Sequence, residues 1–309
     1  MLRLAARLAA AVALLACEAC ALKKVLVTGA GGRTGKLVFE KLKKDYDTIT
    51  PVGLARSAKA VKALKKAGAS ADEVVIADIA DEAALASAMA DCDAVVMCTS
   101  AVPAIKKWSL VKLLFKKTIL RRKDAGRPEF KFGPGCTPEE VDWIGAKKQI
   151  DAAKQAGVDH FVFVSSMGGT QPENFLNTIG KQDDGSGGDI LLWKRKAERY
   201  LVDSGVAFTI VHPGGLVDEE PSKRELTADV DDALLGLKSR SVARADVARV
   251  CCAALVTDEA RGVSFDLASK PIGEGTPTLH AASVFAALGG KTCDYSTVLP
   301  DPPSIPALR

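Results

Sequence analysis

From Lys24 onward, short apolar runs alternate with longer stretches of helical periodicity. Lys24 to Thr28, Pro51 to Ala55, Glu73 to Ala77, Asp93 to Cys98, His160 to Ser165 and Ala207 to Val211 predict strands. Thr34 to Lys44, Ala58 to Ala67, Asp81 to Ala90, Pro138 to Ala156 and Asp189 to Asp203 predict helices. Repeated β-α-β units of this kind give a parallel sheet with helices on both faces. Pro51 cannot donate a ladder hydrogen bond, so it belongs at the mouth of its strand. After Val211 the alternation weakens. A helix over Arg244 to Thr257, a strand over Gly262 to Leu267 and a helix over Leu279 to Leu288 are expected to form a small C-terminal cap, about residues 212–290, on the substrate side of the strand ends. The fold class is therefore α/β, a doubly wound parallel sheet spanning residues 22–298. A Pro-rich tail, 299–309, follows it.

Residues 1–21 stand apart. Arg3 and Arg7 precede an apolar run from Leu8 to Cys17, and Ala19-Cys20-Ala21 supplies small residues at a cleavage position. This describes a secretory signal peptide; an Arg-bearing mitochondrial presequence is the alternative. Entry into a plastid bounded by extra membranes would reconcile such a leader with an intracellular cofactor. Composition changes little: 48% hydrophobic and 26% charged residues suit a globular core, and a net charge of +4 does not imply nucleic-acid binding. Eight cysteines include Cys17 and Cys20 in the leader, and the rest lack ligand-like spacing, so neither a metal site nor a disulfide scaffold is expected.

The strongest chemical signal is Val25-Leu26-Val27-Thr28-Gly29-Ala30-Gly31-Gly32-Arg33-Thr34-Gly35, a GxxGxxG turn between the first strand and helix. Gly29 can make the tight turn, Gly32 can admit a pyrophosphate to the backbone, and Gly35 can bring helix and strand together. The helix start then offers N–H groups and a positive dipole end to phosphate. Gly31, Arg33 and Thr34 complete this cradle. The second strand ends in Arg56-Ser57 with no acid for a ribose 2′-hydroxyl, so Arg56, aided by Arg33, points to the 2′-phosphate of NADP rather than to NAD. Asp78 and Ile79 are placed beside the adenine, and Thr99, Ser100 and Ala101 along the middle of the cofactor. Pro213 and Gly214, after the sixth strand, are also expected to contact the cofactor.

With these motifs the chain resembles the short-chain dehydrogenase/reductases of the atypical, NmrA-like and epimerase-like kind, among them plant NADP-binding members. The resemblance runs from about Lys24 to Ala287. It includes TSAVP at Thr99 to Pro103, GRPEF at Gly126 to Phe130, VDWIG at Val141 to Gly145, SSMGGT at Ser165 to Thr170, WKRKAE at Trp193 to Glu198 and RADVA at Arg244 to Ala248. It implies a Rossmann fold, NADP binding and a substrate pocket above the nicotinamide. His212 departs from it, because relatives often carry Arg there.

Standard members of the family use Tyr-x-x-x-Lys with a strand-end Ser. Lys194 matches the Lys, for it shares an inward stripe with Ile190, Ala197 and Leu201 and would hold the nicotinamide ribose. Arg195, Lys196 and Arg199 are read as solvated charges. Ile190 stands where the Tyr belongs. Ser166 remains to bond a substrate oxygen, and His212 reads as structural. Two functions follow: an NADPH-dependent oxidoreductase on an unknown small carbonyl compound, or a non-catalytic NADP-binding scaffold, redox sensor or assembly factor. Residues 104–125 form a basic insertion in which Lys106 to Lys123 mixes lysines and arginines with apolar residues. It reads first as a solvated insertion, with a lid, a protein partner or anionic lipid as the alternatives.

Overall fold

The computed structural model describes residues 22–118, 128–182 and 187–303. The leader, the Ile119–Lys123 part of the basic insertion and residues 304–309 of the tail lie outside the described residues.

The first half follows the predicted alternation closely: β1 (Lys24–Thr28), α1 (Arg33–Asp45), β2 (Thr50–Ala55), α2 (Ala58–Lys66), β3 (Val74–Ile76), α3 (Glu82–Met89) and β4 (Ala94–Met97). Ser57 and Asp81 cap α2 and α3, their side chains accepting from Ala60 N and Ala84 N. A small hairpin of β5 (Ala104–Ile105) and β6 (Phe130–Lys131) flanks α4 (Lys107–Thr118). Then come α5 (Ala146–Ala156), β7 (His160–Val164), α6 (Ile190–Asp203), β8 (Phe208–Pro213), β9 (Gly215–Val217), β10 (Leu226–Asp229), β11 (Ser241–Ala243), α7 (Arg244–Ala254), β12 (Val263–Ser269) and α8 (Ser283–Leu288).

The main sheet runs β10-β12-β8-β7-β4-β1-β2-β3, parallel throughout except where β10 pairs antiparallel with β12. Side chains alternate along β1: Val25 and Val27 enter the apolar layer with Val38, Phe39 and Cys251, whereas Leu26 enters the opposite layer with Leu85, Ile150 and Leu201. Helices α1 and α7 thus cover one face and α3, α5 and α6 the other, as a doubly wound sheet requires. The strand order reverses between β1 and β4, which opens a crevice at their carboxyl ends.

Two expectations are corrected. The strand assigned to the cap, Gly262 to Leu267, is β12, paired parallel with β8 inside the main sheet. What stands over the strand ends is instead the β9–β11 ribbon and its connecting turns. The helix expected over Pro138 to Ala156 opens as a π-helical segment, Glu139–Gly145, before α5 begins. Thr137 and Glu140 start it reciprocally: Thr137 N donates to Glu140 Oε2 at 3.0 Å and Glu140 N to Thr137 Oγ1 at 3.2 Å. The wider turn carries Asp142 into the interior, where it is buried.

Candidate cofactor and active site

The glycine turn folds as its spacing predicts. Gly29 has φ +65°, and a Cβ there would lie 2.8 Å from the Cys98 carbonyl at the end of β4, so only glycine brings these two strand ends so close. A Cβ on Gly35 would strike Gly29 O, which is why α1 can start directly on the turn. Gly32 N donates to Gly29 O at 2.8 Å, and Gly32 is the helix N-cap with no side-chain capping bond. No acid occupies the first turn of α1. An uncapped helix start next to a glycine turn suits an anionic phosphate. Gly31 lies against the Ala60 methyl, so the turn is also braced by the first turn of α2.

The arginines are held by separate partners. Arg56 faces Asp78 Oδ2 at 3.7 Å and the Cys136 thiol at 3.4 Å, and remains largely exposed at the end of β2. Arg33 pairs with Asp218, which also receives Arg244 at 3.3 Å. Asp78 accepts from Ala80 N at 2.9 Å, and Ile79 packs onto Gly145 at the end of the π-helical segment.

At the end of β4, Ala101 N donates to Asp142 Oδ2 at 3.1 Å and Gln149 Nε2 to Thr99 Oγ1 at 3.2 Å, while the Ser100 hydroxyl turns to Ala101 O. Lys194 arrives from α6 and places Nζ 2.8 Å from Asp142 Oδ1, both side chains buried. Helical spacing pointed Lys194 inward; its protein partner Asp142 was missed, although it sits within the VDWIG segment. The pair seats an ammonium beside Thr99, Ser100 and Ala101, in the crevice next to the glycine turn.

One turn further along α6 the chemistry differs. Glu198 is buried, accepts from the Ser165 hydroxyl and lies 3.2 Å from His212 Nε2. His212 Nδ1 is 3.3 Å from Asp266 Oδ1 on the neighbouring strand β12. Tyr295 donates to Glu198 Oε2 at 3.1 Å and stacks against the Arg195 guanidinium at 3.8 Å. Arg195 is therefore a buried partner of Glu198, at 3.4 Å, and not the solvated charge that the helical stripe suggested, because the strap around Asp294 and Tyr295 covers its face of α6. Burial opposes the charge on Glu198, yet His212 and Arg195 overcome it and hold the carboxyl down to about 2. Burial likewise works against the imidazolium of His212, but Glu198 and Asp266 raise it well above the usual histidine value.

Ser166 follows at the end of β7 and lines a small cleft with Thr170, His212 and Asp232. Asp232, itself at φ +62°, clamps that loop by accepting from Gly168 N at 2.5 Å and from Thr170 N at 2.9 Å. Ser165 is thus committed to Glu198, whereas Ser166 faces the cleft. Pro213 O receives Met167 N at 3.2 Å, and a Cβ on Gly214 would strike Arg240 O, so these two residues also tie the β7 and β8 ends to the ribbon.

A crevice at the reversal of a doubly wound sheet, with a glycine turn on one side and a buried lysine on the other, defines the class of NAD(P)-binding Rossmann proteins. Residues 29–258 match the family model for NAD(P)H-binding proteins. The chain belongs to this NAD(P)H-binding family, as an atypical short-chain dehydrogenase/reductase of the NmrA-like type. It is similar to an uncharacterized chloroplastic protein of Arabidopsis thaliana, 46% identical over 86% of this chain and 76% of that one. Sanguinarine reductase of Eschscholzia californica is 42% identical over 85% of this chain and 94% of its own. A solved Bacillus halodurans protein of the NAD-dependent epimerase/dehydratase type superimposes with a TM-score of 0.64 at 25% identity, covering 86% of this chain and all of that one. The cofactor is accordingly a nicotinamide dinucleotide, and the family one of oxidoreductases.

Proposed function

We propose that the chain is an NADPH-dependent reductase of a small carbonyl compound. The observation that carries this reading is Lys194, buried against Asp142 at the end of β4, where a ribose hydroxyl of the cofactor can replace or share its partner. Bound NADPH supplies hydride to the carbonyl carbon. Lys194 would hold the nicotinamide ribose of the bound cofactor. The Ser166 hydroxyl donates to the substrate oxygen, and water in the cleft restores its proton as the alcohol forms. The uncapped start of α1 receives the pyrophosphate, and Arg56, an exposed cation at the end of β2, receives the 2′-phosphate. The reductase among the relatives supports reduction as the reaction class.

A second reading is favoured by one residue. Ile190 begins α6 where standard members carry the proton-transferring Tyr, and a side chain with no ionisable proton suits a protein that holds NADP without turning it over. Absorbance assays of NADPH oxidation against a panel of aldehydes, ketones and quinones separate the two. Turnover that is lost in Ser166→Ala supports the reductase; tight NADPH binding with no oxidation by any compound selects the scaffold. We further infer delivery to a plastid, from the chloroplastic relative and the leader composition. Fractionation of the tagged full-length chain tests it, and a purely secreted product overturns it.

A further inference from the structure

Helix α4 presents an apolar face that none of the described residues covers. Trp108, Val111, Leu114 and Phe115 are 79%, 54%, 52% and 51% exposed. At 100° per residue they fall on one arc of about a third of the helix circumference. Single exposed apolar residues are ordinary; four contiguous ones, with exposed Val102 and Ile105 leading into the helix, mark a contact surface. The opposite side is anchored. Ser109 is buried, donates to Lys106 O at 2.7 Å and accepts from Glu129 N at 2.9 Å, and the β5–β6 hairpin holds the base of the helix. The anchoring therefore fixes which face points outward.

The charges say what that face meets. No Asp or Glu occurs from Ala101 through Thr118, and Lys107, Lys112 and Lys117 are exposed on the helix. Lys106 is paired with Glu129 at 3.2 Å. Exposed Lys107 and Thr118 share this arc at the two ends of the helix, and between them only the four apolar side chains occupy it. An arc of Trp, Phe, Val and Leu edged by lysines, with no carboxylate, matches an interface that is apolar in its interior and negative at its rim. No helix among the described residues is long and apolar enough to cross a membrane. We propose that α4 docks the protein on the surface of an anionic lipid bilayer, with Trp108, Val111, Leu114 and Phe115 entering the headgroup boundary and the lysines meeting the phosphates. The proposal does not depend on which reaction the protein catalyses.

The test is co-sedimentation of the full chain with vesicles of phosphatidylcholine and phosphatidylglycerol, against vesicles of phosphatidylcholine alone. Binding to the mixed vesicles is expected, weakening as salt rises. Trp emission shifts to the blue on binding, and this shift is absent in Trp108→Ala. Val111→Glu with Phe115→Glu lowers partitioning by at least about tenfold, and Lys112→Gln with Lys117→Gln does so by roughly tenfold or more, as expected when each basic residue is worth about 1 kcal/mol near such a surface. These substitutions are at exposed positions, and unchanged thermal unfolding shows that the fold is kept. Failure to bind the mixed vesicles, equal binding to neutral ones, or undiminished binding by the Val111→Glu/Phe115→Glu chain would overturn the proposal. So would a concentration-dependent dimer abolished by the same pair, because a second copy would then cover the face.

Discussion

Helix α6 places a charged residue toward the strand ends on each of two successive turns, and the surroundings of the two are opposite in kind. Lys194 meets a single carboxylate, Asp142, at the edge of the cofactor crevice. Glu198 sits in a network with Arg195, His212, Tyr295 and Ser165, and Asp266 lies behind His212. The first is one cation with one partner, beside backbone that a ligand can approach. The second holds Glu198 between two cations, Arg195 and His212, and borders the small cleft beside Ser166 rather than the cofactor crevice. Burial alone does not mark a functional charge; what separates the two regions is whether the protein has already satisfied the group.

Several substitutions would sharpen or break this contrast. The largest effect is expected from Glu198→Ala, which leaves Arg195 and His212 buried without their common anion. Urea unfolding should show a loss of about 3–5 kcal/mol with NADPH affinity little changed in the folded protein. A smaller loss, on the order of 2 kcal/mol, is expected for His212→Gln, which keeps hydrogen bonding but removes the charge. Its pH dependence has a definite sign. His212 is raised in the folded state, so its contribution is complete below about 6.5, the unfolded value, and fades as pH climbs through the folded one. Unfolding free energies of the wild type and His212→Gln should therefore differ most near pH 6 and converge on the alkaline side; a gap that widens with pH would show that another group dominates. Glu198 acts at the other end, its contribution disappearing as pH falls toward about 2. The smallest effect belongs to exposed Arg56. Arg56→Ala should narrow the preference for NADPH over NADH by about tenfold, or 1.4 kcal/mol, in fluorescence titrations, and equal affinities in the unmodified protein would refute the NADP assignment.

The cofactor half was the legible half. Short apolar strand runs and a glycine turn are local patterns, and β1 and the tight turn at Gly29 fall where those patterns put them. The inward direction of Lys194 was equally local, being set by helical spacing. The other half depends on contacts between distant segments. His212 looked like an isolated loop histidine because Glu198 and Asp266 reach it from a different helix and strand. Arg195 looked solvated because the strap that buries it arrives from the C-terminal end of the domain. Strands β9 and β11 have three residues each, too few to show alternation, so the chain after Val211 read as a cap while β12 in fact returned to the sheet. Asp142 was hidden by treating Glu139–Gly145 as ordinary α-helix, whose narrower turn does not place its residues alike.

Lys194 and Asp142 are thus assigned to the cofactor and the Glu198 network to the fold. The most direct test of this assignment is an NADPH titration of the double variant Lys194→Met/Asp142→Asn, which removes both buried charges while leaving side chains of similar size, so that stability should change little. A folded protein is expected whose NADPH affinity is at least about tenfold weaker than that of the wild type, the loss of one charge-assisted hydrogen bond. Unchanged affinity in that variant would contradict the assignment and place the pair with the structural charges.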